Sequence, residues 1–283
     1  MKPHALKIMA TPSASFEVRR DRVPVNNRWH CHKEAELIYI ARGTGTLLIG
    51  DHTRYFSAGT LCLIGSGLPH YWRFDEQYFD NDTPIDVIAI HFQEAFWGEA
   101  FLDLPENNGI RLLLQRARRG LLIQGNIQSM VPSFHYLIHA DGPYRIISLV
   151  TLLSKIAEWG PVTSLSSENS SICTGSFEEK RIHEVYEYTL KHFRKKIPLQ
   201  EIAGIAHVSP HAFSRYFKLR TRKTYSQFIA ELRIGYVCRQ LVTTDHPIKR
   251  LCCEGGFQNS ASFHKYFKQI TGMSPLSYQR VYK

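Results

Sequence analysis

Short segments rich in β-branched and aromatic residues dominate the chain between Phe16 and Phe92. Turn residues such as Gly43-Thr44-Gly45 separate them, as expected where strands follow one another closely. The pattern predicts an antiparallel barrel or sandwich. The segments predicted as strands are Glu36–Ala41, Thr46–Ile49, Thr60–Ile64 and Ile85–Phe92.

After Gln93 the hydrophobic period becomes helical, with apolar residues three or four positions apart in Ile110–Arg119 and Arg145–Trp159. The second helix is apolar around so much of its circumference that it needs two neighbours. We expect one neighbour to be its own barrel and the other a second subunit, so residues 145–159 predict a homodimer. Gly160-Pro161 ends this helix, and six serines follow before Phe177. The predicted organisation is a domain at 1–160, a linker at 161–176 and a domain at 177–283.

The last domain contains an internal repeat at an offset of 50 residues. Phe213–Lys218 (FSRYFK) recurs as Phe263–Lys268 (FHKYFK). Two copies of one supersecondary unit explain such a repeat. Each copy has the pattern of a helix-turn-helix, at 199–219 and at 248–269, and Tyr225–Val242 predicts a long amphipathic helix between them.

In each copy the second helix has an inward aromatic stripe and an outward polar stripe. Ser209 and Asn259 are the predicted N-caps. The outward side chains are of the kind that read base edges and phosphates. The predicted DNA-contacting residues are His211, Ser214, Arg215 and Lys218 in the first copy and Ala261, His264, Lys265 and Lys268 in the second. Set about 34 Å apart, the two helices would enter successive major grooves of one duplex.

The net charge is concentrated in this repeat-containing domain. The 283 residues include 35 Lys and Arg against 25 Asp and Glu, a net charge of +10. Residues 177–283 alone carry +11, whereas residues 1–176 carry −1. The asymmetry indicates a phosphate-binding domain joined to a neutral one. If the basic stripes were only solvated faces of a helical bundle, charge, motif and repeat would all have to coincide by chance.

Residues 181–282 resemble the DNA-binding domain of the AraC/XylS family of bacterial transcription regulators. The resemblance rests on motifs such as Phe213–Lys218, Gly256-Phe257, Phe263–Lys268 and Ser274-Pro275, and it spans the whole module. It implies two helix-turn-helix units, base contacts from both recognition helices, and double-stranded promoter DNA as a partner. It also implies contact with RNA polymerase and activation rather than repression.

The neutral half contains a group of residues suited to ligand binding. The candidate effector-binding residues are His30, His32, Glu36, His70 and Trp72. The first three share parity, so an extended chain presents them on one face. Three imidazoles and a carboxylate suit Zn, Fe, Mn or Ni, and a metal site is therefore predicted from His30, His32, Glu36 and His70. Glu34 has the same parity, which leaves open which acid would bind.

This arrangement also resembles the cupin barrel. The spacing His30-x-His32-x-x-x-Glu36, with six residues between Glu36 and Gly43, fits the first cupin motif, and the stretch up to His70 fits the second in part. The resemblance implies a sensory barrel that binds a small effector, often a sugar or related metabolite. Three roles for the histidines stay open: polar lining of an effector pocket, ligands of a divalent transition metal that helps to hold the effector, or core histidines.

Together these patterns predict an α+β protein with an N-terminal antiparallel barrel, helices, and an all-α domain with two helix-turn-helix motifs. The expected function is effector-responsive transcription regulation. The alternative is a metal-dependent cupin enzyme, a dioxygenase or isomerase, whose helical tail mediates oligomerisation. That alternative leaves the +11 domain and its repeat unexplained. A constitutive DNA-binding protein with a degenerate barrel is the third hypothesis.

The sequence also predicts a cytoplasmic location and no membrane partner. No apolar run approaches the ~20 residues of a transmembrane helix, and the first residues lack the pattern of a secretory signal. Six cysteines are too sparse for a disulfide-rich scaffold and are not spaced as a CxxC zinc site.

Overall fold

A computed structural model describes residues 14–24, 28–79, 83–98, 100–167 and 176–283. The chain divides into two compact units, a β-rich unit of residues 1–52 and 56–176 and a helical unit of residues 177–283 that also includes residues 53–55. None of the helices in the described ranges combines the length and the hydrophobicity that crossing a bilayer requires.

Two antiparallel sheets build the β-rich unit. Sheet A has six strands in the order β1-β7-β2-β5-β8-β9, and sheet B has three in the order β4-β3-β6. The pairings of sheet A are antiparallel, as is the pairing of β3 with β6. The strands are β1 (Phe16–Asp21), β2 (Ala35–Arg42), β3 (Gly45–Ile49), β4 (His52–Phe56), β5 (Thr60–Ile64), β6 (His70–Phe74), β7 (Asp86–Phe92), β8 (Leu121–Ile123) and β9 (Val162–Ser164).

Three helices cover one face of sheet A. They are α1 (Asn108–Ala117), α2 (Val131–His139) and α3 (Gly142–Glu158). Pro143 stands in the first turn of α3, where its missing N–H costs no hydrogen bond. Leu37 and Tyr39 of β2 face this layer and share its core with the inward stripe of α3. That stripe consists of Leu149, Leu152, Leu153 and Ile156.

The other face of sheet A packs against sheet B. Alternate residues of a strand point to opposite faces, so the residues of β2 that are not in the helix-side core enter the space between the sheets. There Ile38 is in register with Cys62 of β5 and Ala89 of β7, and these three residues share one core with Trp72 of β6. This inter-sheet interior is the core that positions the candidate ligand site.

The fold class predicted from the sequence is confirmed, although the barrel is present as two facing sheets that do not close on each other within the described residues. Strands β4 and β6 were not predicted from the sequence, because His, Arg and Trp interrupt their apolar pattern. Strands β8 and β9 have three residues each, too few to show a period. Helix α2 was also not predicted, because Pro132, which lies in its first turn, usually interrupts a helix when it stands further inside one.

The first residues of the linker predicted at 161–176 belong to the β-rich unit. Val162–Ser164 forms strand β9, and Val162 is in register with Ile123 of β8. Leu165 and Ser166 are then buried in the same unit. The pairing buries apolar surface that the serine-rich composition does not reveal. Residues 168–175 of the predicted linker lie outside the described ranges.

The residues described from 176 onward form seven helices joined by short connections. They are α4 (Ser176–His192), α5 (Leu199–Ile205), α6 (Pro210–Thr221), α7 (Tyr225–Thr243), α8 (Ile248–Glu254), α9 (Ser260–Thr271) and α10 (Pro275–Tyr282). The pairs α5–α6 and α8–α9 are the two helix-turn-helix units. Helix α7 begins within a capping box, in which the Thr224 side chain accepts from the N–H of Gln227 and the Gln227 side chain accepts from the N–H of Thr224.

The recognition helices α6 and α9 begin as the sequence predicts. The Ser209 hydroxyl accepts a hydrogen bond from the N–H of Ala212, and the Asn259 side chain accepts one from the N–H of Ser262. Each cap satisfies a backbone donor that the first helical turn leaves free.

The repeat extends past these helices to their C-terminal ends. Thr221 and Thr271 each donate a hydrogen bond to the carbonyl four residues earlier in the helix. The next residue in each copy, Arg222 or Gly272, has a left-handed backbone with φ of 59° or 74°. Both helices therefore end with the same geometry, and the following helix starts from the same point in each copy.

Candidate functional site

Five buried polar residues lie together at one end of the inter-sheet interior. Glu36 is the first residue of β2 to face this interior, and His91 is its register partner on β7. His70 opens β6, and His30 exchanges two backbone hydrogen bonds with it, at 3.1 and 2.9 Å. His32 follows in the same segment, and the exposed fraction of each of the five is 7% or less. The fold thus brings both sheets and the segment before β2 to one point.

The Glu36 carboxylate is at the centre of this polar cluster. Its Oε2 lies 2.9 Å from Nε2 of His70, 3.3 Å from Nε2 of His32 and 3.6 Å from Nε2 of His91. Burial alone would raise the pKa of Glu36, but the charge of His70 and the hydrogen bonds from the histidines hold it well below its ordinary value. The carboxylate is therefore ionised inside the protein, which requires partners of opposite charge.

The histidines respond differently to the same environment. Burial by itself would lower the pKa of His32, but the hydrogen bond and charge of Glu36 outweigh it and the pKa is raised. For His30, burial and then the charge of His70 lower the pKa to about 3. His30 is consequently neutral at physiological pH, and a neutral imidazole has one nitrogen lone pair available to a ligand.

Backbone carbonyls orient three of the rings. The Nδ1–O distances are 2.5 Å from His30 to Arg28, 2.8 Å from His32 to Glu34 and 2.9 Å from His70 to Leu68. A carbonyl oxygen only accepts hydrogen bonds, so each Nδ1 is the donor and Nε2 is the atom left for the cluster. Metal-binding histidines in proteins are commonly held through the second nitrogen in this way.

The structure brings together the four residues that the sequence proposes as metal ligands. One ligand atom from each of His30, His32, Glu36 and His70 lies within 4.8 Å of all the others. Of the two acids that the sequence left open, Glu36 is the one in this group. Trp72 is not part of it: the indole packs edge-on against Phe56, at 5.1 Å between ring centres.

Sequence reasoning missed His91. The strand prediction at Ile85–Phe92 contained the residue, but nothing in a single strand shows that its register partner is Glu36. Its Nδ1 is buried without a hydrogen-bond partner in the described residues, as is Nε1 of Trp72. Buried polar atoms usually bond to a protein group or to ordered water, so a water molecule or a ligand in this interior would satisfy these two nitrogens.

The helical unit presents a second candidate site on α6 and α9. Phe213 and Phe217 of α6 and Phe263 and Phe267 of α9 are fully buried, which fixes the rotation of both helices. The eight residues predicted to contact DNA are all exposed: His211, Ser214, Arg215, Lys218, Ala261, His264, Lys265 and Lys268. Donors of this kind on a helix of this width suit the major groove.

The connection between the two helix-turn-helix units is tightly packed. Arg233 of α7 donates hydrogen bonds to the carbonyls of Phe193 at 2.7 Å and Lys195 at 2.8 Å. Gly256, in the turn before α9, presses on the same segment, where a Cβ would lie 2.5 Å from the carbonyl oxygen of Arg194. These contacts join the α4–α5 connection, which precedes the first helix-turn-helix, to α7 and to the turn of the second helix-turn-helix. They therefore restrain the two recognition helices relative to each other.

Comparisons with known proteins match both units. Residues 13–141 match the family model described as AraC-like ligand binding domain, and residues 202–280 match a helix-turn-helix domain. The chain is 22% identical to the MmsAB operon regulatory protein of Pseudomonas aeruginosa, over 88% of this chain and 76% of that protein. It is also 22% identical to the raffinose operon regulatory protein RafR of Pediococcus pentosaceus, over 86% and 83%.

Among solved structures, ToxT from Vibrio cholerae is similar over 95% of this chain and 98% of that one, with 11% identity and a TM-score of 0.37. The two family models together cover most of the chain, in the order that the two structural units have. The chain belongs to the AraC/XylS family of DNA-binding transcription regulators, with an AraC-like ligand-binding domain ahead of its helix-turn-helix domain.

Proposed function

We propose that this regulator is an effector-responsive activator that reads promoter DNA with α6 and α9. The observation that carries the proposal is the matched exposure of His211, Ser214, Arg215 and Lys218 on α6 and of Ala261, His264, Lys265 and Lys268 on α9. Arg215 suits bidentate contact with guanine, and the lysines suit phosphates. Two such helices on one rigid unit fit successive major grooves on one side of a duplex.

The β-rich unit is proposed as the sensor. Four residues of its polar cluster, His30, His32, Glu36 and His70, together with Trp72 form the proposed effector site, and a small metabolite such as a sugar is the first class to test. The name of the related RafR protein supports a sugar as a candidate. Binding would favour one of two arrangements of the chain, and couplings of this kind are typically about 1–3 kcal/mol.

A homodimer through α3 is part of the proposal. One side of α3 is buried against sheet A, as the sequence predicts for residues 145–159. Near its start, Tyr144, Ile146 and Ile147 are 66%, 40% and 56% exposed, which is unusual for a row of large apolar side chains. Replacing Ile147 by Glu should convert the dimer to a monomer in sedimentation, and a wild-type chain that sediments as a monomer would contradict this step.

RNA polymerase is the proposed partner for activation, and the cytoplasm is the proposed location because promoter DNA is there in bacteria. The regulator is proposed to have no enzymatic activity. Regulatory names among the relatives support that assignment. The enzyme alternative would be favoured if turnover persisted after deletion of residues 177–283.

Binding to duplexes selected in vitro with the full-length protein tests the DNA-reading proposal. Fluorescence anisotropy would measure Kd at several salt concentrations. With about six phosphate contacts, affinity should fall by about a thousandfold between 50 and 200 mM salt. Failure to select any sequence, or an affinity that does not change with salt, would contradict the proposal.

A further inference from the structure

We infer that Ala261 selects one thymine of the target DNA, because its methyl group contacts the 5-methyl group of that base in the major groove that α9 enters. The inference rests on the proposed function, since it names the base that one position of the same DNA-reading surface recognises. It concerns the position at which the outward stripes of the two recognition helices differ most in chemistry.

The repeat pairs the outward residues of α6 and α9 at an offset of 50 positions. Three of the four pairs have hydrogen-bond donors in both copies: Ser214 with His264, Arg215 with Lys265, and Lys218 with Lys268. The fourth pair sets the imidazole of His211 against the methyl group of Ala261. Among the eight side chains, that of Ala261 alone has neither a donor nor an acceptor.

The local structure of α9 presents Ala261 on the DNA-reading side. Ala261 is the second residue of α9, as His211 is of α6. It is exposed and lies on one helical stripe with Lys265 and Lys268, three and four residues apart along the helix. Full burial of Phe263 fixes the rotation of this turn. Residues in the first turns of a recognition helix are those that contact base edges, so Ala261 faces a base in the proposed complex.

The chemistry of a methyl group separates thymine from the other three bases. In the major groove adenine presents N7 and its 6-amino group, guanine presents N7 and O6, and cytosine presents its 4-amino group, whereas thymine presents a methyl group beside O4. Contact between Ala261 and thymine removes two methyl groups from water. Contact with another base would cover a polar group without giving it a hydrogen bond, which costs free energy. The preference therefore has an attractive part and a repulsive part.

The packing of the helical unit fixes where this thymine lies in the duplex. The contacts of Arg233 and Gly256 with the α4–α5 connection restrain α6 and α9 relative to each other. Two recognition helices in successive major grooves read elements about 10 base pairs apart. We therefore expect the thymine about one helical turn from the guanine that Arg215 contacts.

Replacement of single thymines by uracil is the direct test, since uracil lacks only the methyl group. The duplex comes from in vitro selection with the full-length protein, and fluorescence anisotropy gives Kd. We expect one thymine, about one turn from the guanine at which Arg215→Ala relaxes the preference, where uracil weakens binding about three- to fivefold. Absence of a uracil-sensitive thymine in that half of the duplex would overturn the inference, whatever the variants do.

Cytosine at the same position separates the methyl group from O4 of thymine. Cytosine and 5-methylcytosine both present an amino group in place of O4, and they differ only in the methyl group. We expect 5-methylcytosine to bind more tightly than cytosine by about the factor that separates thymine from uracil. Equal affinity for the two cytosine duplexes would overturn the inference, because the thymine would then be read through O4.

Matched variants assign the contact to Ala261. Ala261→Gly removes the protein methyl group and should bind the thymine and uracil duplexes equally. Ser226→Gly places glycine at the exposed second position of α7 and should keep the wild-type ratio of the two affinities. A wild-type ratio in the folded Ala261→Gly protein would overturn the inference. Failure to select any duplex would contradict the proposed function instead, so the two failures are distinguishable.

Discussion

The two helix-turn-helix units reach the same geometry with different turns. Both have a capped recognition helix, a buried pair of phenylalanines and a left-handed residue at the helix end. The turn itself differs: the first uses His207, with φ of 54°, and the second uses Gly256, with φ of 83°. The second turn is also one residue longer, since His207 is two residues before its N-cap Ser209 and Gly256 is three before Asn259.

The difference shows that the space around the positive-φ residue of each turn, more than its backbone angle, decides which residue is tolerated there. Both turns have a positive φ, which L-residues rarely adopt. His207 is exposed, so its side chain meets no obstacle, and the strain is its only cost. Gly256 lies against the backbone of Arg194, and any side chain there would collide with it. Of the two turns, the second is therefore the one that helps to hold the two helix-turn-helix units together.

The largest expected effect is that of Gly256→Ala. The new Cβ would lie 2.5 Å from the carbonyl oxygen of Arg194, in a backbone conformation that already disfavours alanine. Overpacking and left-handed strain together should lower the free energy of unfolding by about 2–5 kcal/mol. Urea unfolding followed by circular dichroism measures it. His207→Ala is the matched control, with an expected change below about 0.5 kcal/mol. Similar losses in both variants would show that the turns are equivalent.

Next in size is the effect of the recognition helices on DNA binding. Arg215→Ala and Lys265→Ala change equivalent positions of the repeat and should each weaken binding to a selected duplex by about 1–3 kcal/mol if both read bases. We expect Arg215→Ala to relax the preference at one guanine more sharply than Lys265→Ala, because the planar guanidinium holds two donors in a fixed fork, whereas the lysine ammonium is a flexible point charge.

Arg116→Ala, which removes an exposed charge from α1, is the control for these DNA-binding variants. It should leave both affinity and preference unchanged. If Lys265 contacts only phosphate, its variant will weaken all sequences equally and lower the salt slope by about 1. If both variants leave the affinity and the sequence preference unchanged, neither residue contacts the duplex.

A third comparison concerns the helices that follow the recognition helices. Thr224 caps the 19-residue α7 in a reciprocal capping box, whereas Ser274 caps the eight-residue α10 at the end of the chain. Thr224→Ala should cost about 1–2 kcal/mol of unfolding free energy, and Ser274→Ala about 0.5–1 kcal/mol. Urea unfolding gives both values. A larger loss at Ser274 would mean that α10 stabilises the unit more than α7 does.

Much of the helical unit was predictable because its signals are local. Ser209 and Asn259 indicate helix starts by residue type, and the long period of Tyr225–Val242 predicts α7 to within one residue. The special role of Gly256 was not predictable in the same way. Its partner, the carbonyl of Arg194, is 62 residues away in the chain, and only the packed fold brings the two together.

The sensor shows the same division between local and distant signals. The shared parity of an extended segment was enough to group His30, His32 and Glu36, and the partial second cupin motif added His70. His91 needed the register of β2 with β7, which no pattern within either strand contains. Strands β8 and β9 were missed for a related reason, since three residues form a strand only because neighbours pair with them.

The smallest expected effect is a gain in stability, from His207→Gly. Glycine relieves left-handed strain of about 1–2 kcal/mol and adds about 0.5–1 kcal/mol of chain entropy to the unfolded state. The net result should be stabilisation by about 0.5 kcal/mol, measured by the same urea unfolding. The sign is opposite to that of Gly256→Ala, although both changes concern the positive-φ residue of a helix-turn-helix turn. A loss of stability would mean that the contacts of the His207 side chain stabilise the protein by more than its left-handed backbone costs. Both turns would then depend on their native residue, the first through side-chain contacts and the second through the absence of a side chain.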